Sequence, residues 1–297
     1  MSGIFSKIEK NARGYFPSFL APIAKNIIAW PRYYDQLRRS REQFNMYKEK
    51  YPQHILYVAG LPKSGTTWLE KMLGSFPGLA DIMIPEAVAY EQKHKQSHTF
   101  EFPEKIFSRF NGSLAVLKLH AHGSPHNFRL LEEAGLRYVV LFRDLRDVAV
   151  SHIHYVQSTA YHPEHAVYKR LNTKEALIHF ANTLLPEFAA WVHSWQQHAG
   201  SPFSYILRYE DLLASPYEKF TEVVNHYRIH SSDDEIKKII QKNSFTSMKK
   251  NETGVDASKS FFRKGQSGDW KNYFDTELER IYNDILQDFN AQYGYEK

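Results

Sequence analysis

The fold of this chain is decided by the stretch His54-Ile55-Leu56-Tyr57-Val58-Ala59-Gly60-Leu61-Pro62-Lys63-Ser64-Gly65-Thr66-Thr67-Trp68-Leu69. It begins as a short apolar run typical of a buried strand, which is broken at Gly60 and Pro62. Apolar residues then return at helical spacing from Trp68 onward. A strand, a glycine-rich turn and a helix N-terminus predict an anion site, because unpaired backbone N–H groups and the helix dipole favour negative charge there.

This loop is close to the phosphate-binding pattern G-x-x-x-x-G-K-[ST] but departs from it at one position. Gly60 and Gly65 have the spacing of that pattern and Thr67 fills its last position, whereas Thr66 stands where the lysine is expected. The lysine of this loop is Lys63. ATPases and kinases need their lysine on the β- and γ-phosphates together with a carboxylate-held Mg²⁺, so the displaced lysine favours a shorter anion. A strand–turn–helix connection without a ligand is the alternative.

Composition indicates an ordinary globular protein. The 297 residues are 42% hydrophobic and 24% charged, with a net charge of +5, which is enough to form one large domain with a sizeable core. The chain has no cysteine, so it can form neither disulfides nor thiolate metal sites, and we expect a cytoplasmic protein. The apolar stretch near the N-terminus is interrupted by Pro17, Pro22 and Lys25 and is too broken to span a bilayer.

The positive charge is concentrated at the N-terminus. Residues 1–50 contain ten Lys and Arg but only four Asp and Glu. We therefore divide the chain into a basic, aromatic-rich extension over 1–50 and a catalytic domain over 51–297. The extension either packs on the domain by its apolar side or lies on an anionic membrane surface, and Pro17 and Pro22 favour packing. The rest of the chain is nearly neutral, which argues against nucleic acid as a partner.

Strand and helix patterns alternate along the chain. Strand patterns are found at 54–60, 113–120, 136–142 and 203–207, and helical patterns follow at 127–134, 145–156, 173–198, 215–228, 232–242 and 276–290. The polar stretch 85–110 is expected to include loop and could form one wall of a pocket. This order predicts a single α/β domain with a central, mainly parallel sheet flanked by helices, of the P-loop nucleotide-binding type. Ligands of such sheets bind beyond the carboxyl ends of the strands.

Basic and titratable residues follow these strand ends. Lys118, His120 and His122 occupy alternate positions, and so share one face if the strand persists that far. A histidine there can take a proton near neutral pH, and the lysine can hold anionic oxygens. A metal site formed by His120, His122 and His126 is less favoured, because no acidic partner lies close in sequence.

Two later stretches supply further anion-binding groups. Arg143 ends a strand and Ser151 lies two turns into the next helix, so the two residues could hold a second phosphate, with Asp144 as the helix N-cap. We expect Arg146 and Asp147 to form only local charge pairs of little energetic weight. Near the C-terminus, a glycine-containing loop could form an anion clamp from Arg263, Lys264 and Gly265. The alternative is a basic loop on the surface.

Taken together, the chain resembles the cytosolic-type sulfotransferases that use 3′-phosphoadenosine 5′-phosphosulfate (PAPS). The resemblance covers about residues 54–275, and its motifs arrive in the family's order. They are Pro62-Lys63-Ser64-Gly65-Thr66-Thr67-Trp68, Leu117-Lys118-Leu119-His120, Arg143-Asp144-Leu145-Arg146-Asp147-Val148-Ala149-Val150-Ser151, Arg208-Tyr209-Glu210-Asp211, Ser244-Phe245-Thr246-Ser247-Met248-Lys249-Lys250-Asn251 and Phe262-Arg263-Lys264-Gly265-Gln266-Ser267-Gly268-Asp269-Trp270-Lys271.

The resemblance implies a role for each matching residue. The 5′-phosphosulfate would be bound by Lys63, Ser64, Gly65, Thr66, Thr67 and Trp68, the 3′-phosphate by Arg143, Ser151, Arg263, Lys264 and Gly265, and the adenosine would be bordered by Tyr209, Ser244 and Phe245. His120 would be the catalytic base, with Lys63 on the leaving oxygen and Lys118 on the sulfonate. The products would be a sulfonated acceptor and 3′,5′-ADP, and no metal is required.

Some features of the chain leave alternatives open. The acceptor would be a small molecule or lipid-like compound with a hydroxyl or amine. Its pocket could use aromatic residues, which could equally be core, namely Tyr90, Phe100, Phe102, Phe107, Tyr155 and Tyr161. It could also use any of His94, His98, His122, His152, His154 and His162. The family's short dimerisation pattern is not kept after Lys271, so the oligomeric state is open. The rival functions are a nucleotide kinase or ATPase, and a membrane- or partner-binding protein that has lost catalysis.

Overall fold

The computed structural model describes residues 21–159, 162–251 and 265–295, and it describes the side chains of these residues except those of 21–26 and 249–251. Five strands form one sheet. They are β1 (Ile55–Gly60), β2 (Ala80–Asp81), β3 (Ala115–Leu119), β4 (Tyr138–Phe142) and β5 (Ser204–Arg208). The strand order is β2-β3-β1-β4-β5, and every neighbouring pair is parallel. The predicted, mainly parallel α/β sheet is confirmed, and β2 is a short edge strand that the sequence patterns did not indicate.

Helices cover both faces of the sheet. The helices of the described residues are α1 (Ala21–Tyr47), α2 (Thr66–Leu73), α3 (Pro85–His94), α4 (Pro125–Glu133), α5 (Leu145–Ser158), α6 (His165–Tyr168), α7 (Thr173–Gln196), α8 (Tyr209–Ala214), α9 (Pro216–His226), α10 (Asp233–Lys242), α11 (Phe245–Asn251), α12 (Thr276–Leu286) and α13 (Phe289–Gln292). The stretch 85–110 was expected to include loop, and its first ten residues form α3, which begins with Pro85 in the first helical turn, where proline is favoured.

Strand β1 shows why the strands read as continuous apolar runs. All six of its residues are buried, because successive side chains enter two different cores. Tyr57 and Ala59 belong to a core that includes α5, α7 and α12. Leu56 and Val58 belong to the core that includes α2, α9 and α10. A parallel sheet covered on both faces produces this pattern.

Helix α1 packs on the domain. Its residues Ala29, Tyr33 and Leu37 are buried, and the Tyr33 ring meets the Phe110 ring edge-on at 6.3 Å. The Ser40 hydroxyl donates to the carbonyl of Leu114 (2.6 Å) and accepts from its N–H (2.8 Å). These two bonds satisfy backbone groups immediately before β3. Among the described residues no helix is both long enough and apolar enough to cross a membrane.

Candidate active site

The loop between β1 and α2 is shaped by two close backbone approaches. A Cβ on Gly60 would lie 1.8 Å from Cγ2 of Thr66, and one on Gly65 would lie 2.6 Å from the ring of Tyr209. Gly65 also has φ 80° and precedes α2 without any side-chain cap on its N–H groups. The loop therefore presents backbone donors at a helix N-terminus, which is the geometry that binds an anion.

Beyond the carboxyl ends of the strands lies a cavity of about 480 Å³. Its walls bring together most of the residues that the sequence analysis selected from distant parts of the chain. Those that line it are Lys63, Gly65, Thr66, Thr67, Trp68, Lys118, His120, Arg143, Ser151, Tyr209, Ser244, Phe245 and Gly265. Ser64 is fully buried in the same loop. Arg263 and Lys264 lie outside the described residues.

Lys63 occupies the centre of the loop in a left-handed conformation, with φ 66°. Its Nζ lies 4.0 Å from the centroid of the Tyr155 ring. Burial, together with the positive charges of Arg143 and Lys118, lowers the pKa of Lys63 to about 7. A buried cation among other cations is favoured only when an anion joins them, so these groups are suited to a strongly negative ligand.

His120 is oriented by the main chain. Its Nδ1–H donates to the carbonyl of Gly60 at 2.5 Å, and the indole N–H of Trp191 donates to the His120 carbonyl at 2.6 Å. Because Nδ1 carries the proton of the neutral ring, Nε2 keeps a lone pair that can accept one. Burial, followed by the charge of Lys118, lowers the pKa of His120 to about 4, so the ring is neutral at physiological pH.

Lys118 is the second-to-last residue of β3 and lies two positions before His120. Its Nζ is 3.5 Å from a carboxylate oxygen of Glu70 on α2. The regular strand ends at Leu119, so His122 does not follow the alternation expected for it. Instead, His122 contacts Glu101 at 2.9 Å, and His126 donates to the carbonyl of Phe102. No group of three potential metal ligands occurs among the described residues.

Arg143 follows the end of β4 and contacts the described part of the C-terminal loop, which begins at Gly265. Its guanidinium lies 4.5 Å from the centroid of the Tyr209 ring. It donates through Nη2 to Asp147 (2.9 Å) and to the carbonyl of Gln266 (2.6 Å). Its Nε is buried and has no hydrogen-bond partner among the described residues. Arg143 is thus held in place at the wall of the cavity, where its guanidinium can pair with an anion, as a phosphate-binding arginine requires.

The expectation that Arg146 and Asp147 make only weak local pairs is wrong. Asp147 is 1% exposed and accepts the backbone N–H groups of Gly268 (2.8 Å) and Trp270 (2.9 Å). Arg146 is 3% exposed, pairs with the predicted N-cap Asp144 at 2.7 Å and lies 3.9 Å from the centroid of the Trp270 ring. These buried contacts hold residues 268–270 against α5. The spacing of residues along the sequence could not indicate contacts between such distant segments.

Aromatic residues form one wall of the cavity. The Trp68 indole donates to the carbonyl of Asn243 at 2.9 Å, and its ring meets Tyr209 at 6.3 Å and a 72° angle. A Cβ on Gly265 would lie 2.5 Å from the Phe245 ring. Flat aromatic surfaces fixed in this way can accept a heteroaromatic base by stacking.

Another part of the cavity wall contains residues that the sequence motifs did not select. Leu184 and Phe188 of α7 line it, together with Glu91, Glu164 and the segment 95–98. The only signal of Leu184 and Phe188 in the sequence was the apolar period of a long helix, which is indistinguishable from core. Glu91 and the segment 95–98 belong to the stretch 85–110, which was expected to be able to form a pocket wall. Among the six candidate histidines, His98, His152 and His162 line the cavity. Three of the aromatic candidates, Phe100, Phe102 and Phe107, are buried in the core.

Comparison with known proteins gives a consistent result. A family model of the sulfotransferase domain matches residues 52–294. Sulfotransferase 1E1 from Cavia porcellus is 25% identical over 256 residues, covering 78% of this chain and 81% of the relative. Flavonol 3-sulfotransferase from Flaveria bidentis is 26% identical over 257 residues, covering 75% and 77%.

Two solved structures are similar in fold. Mouse sulfotransferase SULT7A1 complexed with PAP has a TM-score of 0.58 at 18% identity, with 86% of this chain and 93% of that chain covered. Retinol dehydratase in complex with androsterone and the inactive cofactor PAP has a TM-score of 0.59 at 20% identity, with 84% and 86% covered.

Proposed function

Because the chain belongs to the sulfotransferase domain family, we propose that it transfers a sulfonate group from PAPS to a hydroxyl group of a small molecule. One observation carries this proposal. The buried cation Lys63, the neutral base His120 and the anchored arginine Arg143 all line the same cavity. An amine is the alternative acceptor group. The androsterone bound by the structural neighbour supports a small organic acceptor.

The cavity suggests how PAPS would lie. The 5′-phosphosulfate is directed to the helix N-terminus and Lys63, and the adenine to Trp68, Tyr209 and Phe245, with Ser244 at its edge. The 3′-phosphate is directed to Arg143 and Ser151, and the predicted Arg263, Lys264 and Gly265 complete that subsite. The three basic residues Lys63, Lys118 and Arg143 match the several negative charges of the nucleotide.

The chemistry follows from the protonation states. Nε2 of His120 accepts the proton of the acceptor hydroxyl as its oxygen attacks sulfur, and the bond from sulfur to the bridging oxygen breaks. Lys63 stabilises the negative charge that develops on that bridging oxygen, and Lys118 stabilises the sulfonate oxygens. The negative charge of the sulfonate opposes the effect of Lys118 on His120, which makes the base stronger in the complex than in the empty site.

Binding and transfer measurements test this function. Calorimetric titrations with 3′,5′-ADP and with ATP·Mg²⁺ are compared, and radiolabelled PAPS is incubated with phenols, sterols, sugars, lipid alcohols and amines. We expect binding of 3′,5′-ADP, much weaker binding of ATP·Mg²⁺, and labelled product with at least one class. Preferential binding of ATP·Mg²⁺ would favour a kinase instead. Binding of 3′,5′-ADP without transfer to any acceptor would favour a protein that has lost catalysis.

The same proposal includes a catalytic domain over residues 51–297 and a cytoplasmic location for the protein. Peripheral membrane contact through residues 1–50 is the less favoured alternative. Ala29, Tyr33 and Leu37 are buried, so this apolar side of α1 already packs against the domain. Sedimentation of the full chain with anionic phosphatidylserine vesicles distinguishes the two. A chain that stays in the supernatant supports packing alone.

A further inference from the structure

The acceptor end of the cavity combines an apolar wall with a buried polar pair. Tyr155, Leu184 and Phe188 supply the apolar surface, and His152 and Glu164 line the same region. A cavity for a purely hydrophobic alcohol needs no such pair, because buried polar groups are costly unless they are hydrogen-bonded.

His152 is rigidly placed. It immediately follows Ser151 on α5 and is 6% exposed, and its ring packs on Phe180 at 5.3 Å and on Tyr168 at 5.4 Å. Nε2 of His152 is buried and lies 3.3 Å from a carboxylate oxygen of Glu164, so this nitrogen faces the carboxylate as its donor. The packing holds the ring in this position beside Glu164.

His98 provides a contrast within the same cavity. It is also buried, at 3% exposure, but its Nε2 lies 2.5 Å from a carboxylate oxygen of Glu187. That hydrogen bond satisfies the nitrogen, and the ring packs against Phe188 at 5.0 Å. His98 and Glu187 therefore belong to the supporting wall, because Glu187 is not among the residues that line the cavity, whereas Glu164 is.

We propose that His152 and Glu164 form a subsite for a second hydrogen-bond donor on the acceptor, a hydroxyl or an amine separated by an apolar body from the hydroxyl that reacts at His120. This inference rests on the proposed sulfonate transfer and adds the class of acceptor. The carboxylate of Glu164 can only accept hydrogen bonds, and His152 holds it in place, so the complementary group on the ligand must donate.

Three matched phenols test the subsite: 4-ethylphenol, 4-(2-hydroxyethyl)phenol and 4-(2-aminoethyl)phenol. Each is titrated calorimetrically into the full-length protein saturated with 3′,5′-ADP. We expect at least one of the two bifunctional phenols to bind about tenfold or more tightly than 4-ethylphenol, since a site built for a donor discriminates against a ligand that lacks it. The tighter of the two identifies the donor as hydroxyl or amine.

Variants of His152 and Glu164 test whether the preference for a bifunctional phenol arises at this subsite. His152→Phe keeps a ring of similar size but removes both nitrogens, and it should reduce the affinity ratio to within about twofold of one. Glu164→Gln should reduce the ratio in the same direction and serves if His152→Phe does not fold. The matched control is His154→Phe, the same change two positions further along α5 at a side chain outside the cavity lining, which should keep the wild-type ratio.

The outcomes separate this inference from the proposed function. If the wild-type protein binds 3′,5′-ADP but binds the three phenols equally, or binds none of them, the subsite is overturned and the transfer proposal stands. A wild-type preference that survives in His152→Phe and Glu164→Gln also overturns the subsite. Absence of 3′,5′-ADP binding contradicts the proposed function itself.

Discussion

At the residue scale, the site depends on two buried bases with lowered pKa values. Burial is the first cause for both Lys63 and His120, and neighbouring positive charges add to it. In the proposed reaction the consequences are opposite, because His120 would act in its neutral form, whereas Lys63 would be needed in its charged form. The same desolvation would therefore prepare the proposed base and leave the lysine dependent on an anionic ligand.

His120→Ala tests the base. We expect the rate of sulfonate transfer to fall by roughly two or more orders of magnitude, the range typical for losing a general base. The affinity for 3′,5′-ADP should change little, because Nε2 is directed to the acceptor. Single-turnover rates with PAPS and calorimetric affinities measure the two effects. His230→Ala, at an exposed histidine, is the control. Transfer by His120→Ala at a near-normal rate would exclude His120 as the base.

The lowered pKa of Lys63, about 7, predicts how nucleotide binding depends on pH. Below pH 7 the lysine is charged in the empty site, and above pH 7 it must take up a proton when the anion binds. The affinity for 3′,5′-ADP should therefore fall between pH 7 and 9, by up to about tenfold per pH unit. Phosphate groups titrate near pH 6 and do not interfere.

Lys63→Arg separates this effect from other titrations, because arginine stays charged throughout this pH range. In that variant the affinity for 3′,5′-ADP should be flat from pH 7 to 9, whatever its absolute value. Calorimetry at several pH values in buffers of equal ionic strength makes the comparison. Wild-type affinity that does not change between pH 7 and 9 would contradict the role of Lys63.

At the element scale, α5 organises one side of the nucleotide site. Its N-terminal turn holds Arg143 and the backbone of 268–270 through a single carboxylate, Asp147. Its next turns present Ser151 and His152 to the cavity. One helix therefore connects the proposed 3′-phosphate subsite to the proposed acceptor subsite, and its position depends on β4, whose carboxyl end it follows.

Asp147→Ala tests this attachment. The substitution leaves two backbone N–H groups and a buried guanidinium without their acceptor, so we expect a loss of about 3 kcal/mol or more in the free energy of unfolding. Urea denaturation measures it, and Asp147→Asn serves if the alanine variant does not fold. Glu133→Ala is the control, because its pair with Arg129 is about half exposed and should contribute less than about 1 kcal/mol. Equal losses for the two alanine variants would show that Asp147 is not a structural anchor.

At the scale of the whole molecule, α1 is packed into the same core as the sheet. Tyr33 and Leu37 belong to the core that includes β1, α5 and α7, and Ser40 bonds to the backbone immediately before β3. We therefore expect residues from about 27 onward to unfold together with the domain, although the matched family region begins at residue 52.

Leu37→Ala measures this coupling. Removing a buried leucine side chain should lower the free energy of unfolding by about 2–5 kcal/mol in one cooperative transition. Met46→Ala on the same helix is the control, since Met46 is 70% exposed and its truncation should have little effect. Urea denaturation followed by tryptophan fluorescence and by circular dichroism tests cooperativity. Two separate transitions would mean that α1 is an independent extension.

Much of this protein was predictable from local sequence. The α/β fold, the parallel sheet, the sulfotransferase family and the class of enzyme are confirmed, and PAP in the structural neighbours agrees with PAPS as the expected co-substrate. These predictions succeeded because short motifs at strand ends and helix starts act locally. The loop 60–67 needs its glycines for its own conformation, whatever sequence follows it. Parallel strands bring their carboxyl ends to one edge of the sheet.

Other features were decided only by the tertiary structure. Asp147 was assigned a weak local pair, but its main partners are 121 and 123 residues away. Leu184 and Phe188 read as core because an apolar helix face looks the same beside a cavity as beside a sheet. The sequence did not distinguish His152 from the other candidate histidines, because only the packing in the folded protein fixes the position of its ring. Local sequence thus determined the anion-binding geometry of the loop 60–67. Burial and long-range contacts, which no short window of sequence contains, determined the part of the cavity that we propose for the acceptor.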